Sequence, residues 1–173
     1  MRETHEDLRV LQRTLDDCYA SAGTHLRSIH RPERRMSAEE VVAELSGVFV
    51  LHVATVTARG EPRVAPVDGL FLRGCFWFGF PPGAVRIAHV RARPQVSATY
   101  TVGEDVCVLA HGRAVEAPEG SAALAEYEDY AREAYTPAVW DHWQRHYDDR
   151  AGTGFTARIE AAKLYAMKRR PEG

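Results

Sequence analysis

Between residues 48 and 117 the chain is a string of short apolar segments cut apart by glycine, and this rhythm limits the fold more than any other feature. Strand-length runs fall at about 48–57, 63–72 and 75–80. Arg59-Gly60-Glu61 and Arg73-Gly74 separate them, the second as a tight hairpin turn. Pro81-Pro82-Gly83 then breaks the chain, a helix is expected up to about Arg93, and Pro94 forbids its continuation. Two further strands are expected at 95–102 and about 105–116, with Gly103-Glu104 as their turn. Short strands in this order predict a mainly β fold with peripheral helices: a small antiparallel barrel with one cationic helix across it.

The flanks supply the helices. Leu8, Leu11, Leu15, Cys18 and Tyr19 recur at three-to-four spacing and predict an amphipathic helix over 6–20, stopped near Gly23. Residues 27–35 are polar, contain Pro32 and read as a loop. Ser37 with Glu40 makes a capping box that opens a helix to about Leu45, and Gly47 ends it. A second amphipathic helix is expected over 121–135, and an alternating strand over 155–168 closes the sheet. The division that follows is a helical extension over 1–36, the barrel over 37–168 and a tail over 169–173.

At 173 residues the chain fits one domain with a real core. Its net charge of −2 and lack of a basic stripe argue against nucleic acid as a partner. No apolar run approaches the roughly 20 residues of a membrane span, and the charged N-terminus lacks a secretion core. Three widely spaced cysteines, Cys18, Cys75 and Cys107, support neither a disulfide framework nor a metal pair. These features point to the cytoplasm.

Chemistry is expected where the Gly83 loop enters the arginine-bearing helix. Free amides and the helix dipole favour an anion there, and Arg86, one turn in, offers a guanidinium that grips phosphate with two donors. His89 lies a turn later, as a phosphate contact or a structural histidine. Pro66 inside the second strand donates no ladder bond, so it marks an edge, a bulge or an interruption. Main-chain groups released there need other partners, which the edges of a flat heterocycle supply. His142 and His146 share a helical face, but Trp-Gln-Arg between them lacks the glutamate of HExxH, and no metal is expected. No GxSxG, P-loop or strand-borne GxGxxG is present.

The ordered set Ala54-Thr55-Val56, then 59–67, Phe76-Trp77-Phe78, the helix with Arg86 ending at Arg93-Pro94, 95–99 and Gly112-Arg113-Ala114 resembles the pyridoxamine 5′-phosphate oxidase-like flavin-binding split barrels. The resemblance covers roughly residues 37–117. It implies a split β-barrel homodimer that binds FMN at its interface, acting on a small-molecule substrate with a reduced nicotinamide or another electron donor. Relatives use coenzyme F-420 or haem instead, and a non-enzymatic flavin- or haem-binding protein is the further alternative. Family contacts to the flavin fall on Arg63, Val64, Ala65, Pro66, Val67 and Asp68, and on Phe78 and Gly79. Those to the phosphate fall on Val85 and Arg86, with His89 nearby. Many members carry Ser-Arg-Lys where this chain has Ala84-Val85-Arg86, so one cation and one hydroxyl are missing, and Arg63 or a partner-chain arginine is the expected compensation. Arg31, Arg34 and Arg35 are the candidates to line a groove for the anionic tail of F-420. The N-terminal helix lies outside the pattern, as a cover for the dimer or the pocket.

Overall fold

The computed structural model describes residues 2–148 and 154–170, with side chains in the last stretch of the sixth helix described as far as residue 145. Six antiparallel strands close a barrel in the order β1-β2-β3-β6-β5-β4. They are β1 (Phe49–Val56), β2 (Pro62–Leu72), β3 (Cys75–Phe80), β4 (Gln95–Val102), β5 (Val106–Glu116) and β6 (Phe155–Lys168). The helices are α1 (His5–Ala20), α2 (Thr24–Ile29), α3 (Ala38–Glu44), α4 (Val85–Ala92), α5 (Ala122–Ala134) and α6 (Pro137–Asp148). The expected loop at 27–35 is instead the end of α2 followed by a 3-10 turn over Pro32–Arg34. Pro32 opens that turn, a position where its missing N–H costs nothing. Gly23 stands at the start of α2, while Ser21 ends α1.

Strand β1 alternates cleanly. Leu51, Val53 and Thr55 point inward with 0% exposure, while Val50 and His52 face outward. The β2–β3 hairpin turns on Arg73 and Gly74, both at positive φ. A two-residue turn of this kind matches the strand twist, at the cost of a left-handed arginine. Arg73 is held there by ion pairs to Asp7 of α1 (2.9 Å) and Glu126 of α5 (2.5 Å), so the hairpin tip ties two helices together.

Strand lengths decide the shape of the wall. At six residues β3 is far shorter than its neighbours of eleven and fourteen. It pairs with β2 over residues 69–72 and with β6 over 155–158. This leaves the β3-facing edges of β2 (62–68) and of β6 (beyond 158) without a strand partner, at opposite ends of β3. The β6 edge is covered by α1 and the segment before α3. The Tyr19 hydroxyl donates to the Ala166 carbonyl (2.5 Å) and accepts from the Ala166 amide (2.9 Å). The Met36 amide donates to the same carbonyl (3.1 Å), and the Leu164 amide reaches Cys18 Sγ (3.3 Å). The N-terminal helix therefore seals a barrel edge, and its Leu11 and Leu15 join the common core.

On the other flank of β6 the pairing with β5 shifts register between His111 and Gly112, and Ala162 bulges outward. A Cβ on Gly112 would stand 2.1 Å from the Glu160 carbonyl oxygen, so only glycine lets the strands approach.

Candidate functional site

The second unpaired edge, on β2, borders a cleft of about 880 Å³. Pro66 settles here as an edge residue. Strand β2 keeps an unbroken register with β1 from Phe49↔Gly69 to Val56↔Pro62, with no bulge or interruption. The cleft opens where β2 and β3 part, between Asp68 and Gly79, and its floor includes Phe80. Such a volume suits a ligand of drug or cofactor size.

Helix α4 forms one wall. Pro81-Pro82-Gly83 ends β3 and turns the chain, with Gly83 at φ 78°. Buried Ile87 and Val90 hold the helix against the barrel. Its N-cap, Ala84, has no side chain to accept the first amides, and no acidic residue occupies the first turn. An incoming anion would thus meet unopposed positive helix potential. Arg86 lines the cleft half-buried, with its guanidinium 5.6 Å from the Phe80 ring centre. No carboxylate among the described residues pairs with it.

Of the residues expected at the site, Pro66, Val67, Asp68, Gly79, Val85 and Arg86 line this one cleft. The rest stand elsewhere. Arg63 is exposed, pairs with Glu61 (2.8 Å) and does not line the cleft. Val64 is 68% exposed on the outer barrel face, and Ala65 sits beside it on the same strand. The Phe78 side chain is 0% exposed inside the barrel, against Phe80 and Phe155. Period-two alternation through Phe76, Phe78 and Phe80 is the signal that reveals its inward direction. His89 faces β1, with Nδ1 3.5 Å from the hydroxyl of fully buried Thr55. Arg31 and Arg35 turn to the α2 segment: Arg31 Nε meets the Ser28 carbonyl, and Arg35 stacks 4.3 Å over Tyr19. Neither they nor Arg34 lines the cleft.

The opposite wall comes from α5 and α6. Tyr127 stacks on Trp77 (5.3 Å, 22°), anchoring α5 to the outside of β3. Tyr135, at the end of α5, donates from its hydroxyl to Asp68 Oδ2 (2.7 Å). Trp140 and Trp143 of α6 extend the aromatic rim. His142 contacts Trp143 edge-on, while the side chain of His146 lies outside the described residues. Among the described residues no group of three or more His, Cys, Asp or Glu side chains could hold a metal ion. None of their helices is long and apolar enough to cross a membrane.

No family model matches this sequence, and no curated protein matches it. Solved structures do. The conserved hypothetical protein Rv2991 from Mycobacterium tuberculosis superposes with a TM-score of 0.64 at 18% identity, over 82% of this chain and 90% of that one. HutZ, the heme storage protein from Vibrio cholerae, gives 0.60 at 16% identity, over 80% and 94%. The FAD-binding protein mll6688 from Mesorhizobium loti gives 0.53 at 23% identity, over 78% and 95%. An F420 reductase shares the architecture too, at a TM-score of 0.50. The chain therefore has the split-barrel fold of the pyridoxamine 5′-phosphate oxidase-like proteins. At these identities the likeness fixes the fold and leaves the activity to the site.

Proposed function

We propose that this chain is an FMN-dependent oxidoreductase that works as a homodimer, with its cofactor in the cleft between β2, α4 and α5. One observation carries the reading. A single cleft joins an unpaired strand edge, a side-chain-free approach at Gly79, and a helix start that bears one uncommitted guanidinium. These three features suit the ring edges, the ring face and the phosphate of a mononucleotide. Arg86 and the amides of Val85 and Arg86 would hold the phosphate, and main-chain groups of residues 66–68 would meet the ring edge. The flavin, when bound, supplies hydride or electron transfer, while the protein orients it and limits water. Tyr135 fixes the Asp68 carboxylate at the lip of the cleft, where it helps position whatever approaches the ring.

The dimer is supported by the outer face of β1 and β2. Val50 and Val64, 55% and 68% exposed, share this face with His52, Ala54 and Pro66 through the β1–β2 pairing. A patch of exposed valines beside a ligand cleft is a fitting surface for a second copy. The three cysteines are free thiols, in keeping with a reducing compartment such as the cytoplasm.

Absorbance of the natively purified protein, followed by FMN titration, tests the assignment. Arg86→Ala is expected to weaken FMN binding by about 1.5–3 kcal/mol, the size of a hydrogen bond to a charged group. Unchanged affinity with an intact fold would remove Arg86 from the site.

A further inference from the structure

The two walls of the cleft carry opposite charge. On the α4 side stands Arg86, the sole cation among the described lining residues. On the α5 side stand three carboxylates: Asp68, Glu119 and Glu128. Glu119 belongs to the loop that joins β5 to α5. That loop is pinned at the mouth of the cleft, because the amide of nearby Ala117 donates to the Thr156 carbonyl (2.8 Å). Glu128 projects from α5 itself, and Asp68 is drawn to the same wall by the Tyr135 hydroxyl. Neither Glu119 nor Glu128 pairs with a cation among the described residues, so their charge is left to act on the cleft. The nearest arginine on that wall, Arg132, one turn beyond Glu128 on α5, is paired with Asp129 (3.0 Å) and lies over the Trp140 ring (5.4 Å).

A ligand with one compact anionic group can place it at Arg86 and keep the rest of its length uncharged along the α5 wall. A ligand that trails several negative charges must run them past carboxylates within a partly enclosed cleft, where screening is weaker than in bulk water. Resting on the flavin reading above, we propose that Asp68, Glu119 and Glu128 set cofactor choice by charge. They admit a mononucleotide flavin and reject a cofactor with a polyanionic tail, such as coenzyme F-420. These are specificity-determining residues that act through repulsion, a device as effective as an added contact.

The test titrates the full-length protein and its E119Q/E128Q variant separately with FMN and with F-420, at low and high salt. The wild type is expected to bind FMN at least about tenfold tighter than F-420. The double variant should gain about tenfold in F-420 affinity at low salt and keep FMN affinity within about twofold, the gain shrinking at high salt. Equal wild-type affinity for the two cofactors, or an unchanged ratio in a variant of native circular dichroism, would overturn the selection. Binding of F-420 alone would overturn it while leaving the cleft a cofactor site. Binding of neither cofactor to either protein would overturn the flavin reading and the selection together.

Discussion

The barrel has two strand edges that β3 is too short to cover, and the chain treats them in opposite ways. The edge of β6 is closed from within: Tyr19, Cys18 and Met36 meet the main-chain groups of Leu164 and Ala166, and α1 packs its apolar face over them. The edge of β2 over residues 62–68 has no strand partner on its β3 side, and its last three residues, 66–68, open on the cleft between α4 and α5. Buried main-chain donors and acceptors must be satisfied. One edge therefore satisfies them with the chain's own side chains and contributes stability. The other remains available to a ligand. Substitutions on the sealed side should cost stability, and those on the open side should cost binding.

The largest expected effect lies on the flank of β6 opposite the sealed edge, in the β5–β6 ladder. Gly112→Ala forces a methyl group against the Glu160 carbonyl and should lower unfolding free energy by about 3 kcal/mol or more, read by denaturant titration. A loss below about 1 kcal/mol would mean that the bulge relaxes and that this ladder is less rigid than its packing implies.

Next in size, Tyr19→Phe removes the hydroxyl that closes the β6 edge. The Ala166 carbonyl keeps the Met36 amide, while the Ala166 amide loses its partner. The expected cost is about 1–3 kcal/mol, that of one orphaned buried donor. Arg86→Ala on the open edge should instead leave unfolding free energy within about 0.5 kcal/mol, in the range of surface substitutions. Equal destabilisation by both changes would break the distinction between the edges.

A smaller effect concerns pH. His30 is 4% exposed, packed between Tyr19 (6.0 Å) and Tyr165 (5.4 Å), and its Nδ1 has no hydrogen-bond partner among the described residues. Burial, followed by the charges of Arg35 and Arg34, holds its pKa below the usual 6.5. The unfolded chain takes up this proton near pH 6.5, whereas the folded chain resists it to lower pH. The unfolded state therefore binds more protons across that window, and stability falls as pH drops below about 6.5. Thermal midpoints measured from pH 7 downwards should fall more steeply for the wild type than for His30→Phe. Parallel curves would show that the sealed side is indifferent to this imidazole.

Much of this architecture is legible residue by residue. Pro66 marks an edge, a bulge or an interruption because it donates no ladder bond, and Ser37 with Glu40 marks a helix start because each side chain caps the other's amide. Gly83 ahead of Arg86 marks the turn that opens α4 for reasons equally local. The placement of Arg63 was not legible, because an exposed arginine goes to the nearest carboxylate, here Glu61, two residues away. The α5 wall was not legible either. Tyr135 meets Asp68 across 67 residues of sequence, and nothing local announces that pairing.

Alternation, glycine, proline and capping boxes act over a few neighbouring residues, and these local signals set the strands, their turns, the capped helices and the cationic start of α4. Which strand edge is sealed and which is left open was set by long-range packing. That outcome depends on the length of β3 relative to β2 and β6, and on which distant helix reaches each exposed edge. The charge of the cleft was decided at the same level, because Arg86, Asp68, Glu119 and Glu128 become neighbours only when the barrel closes.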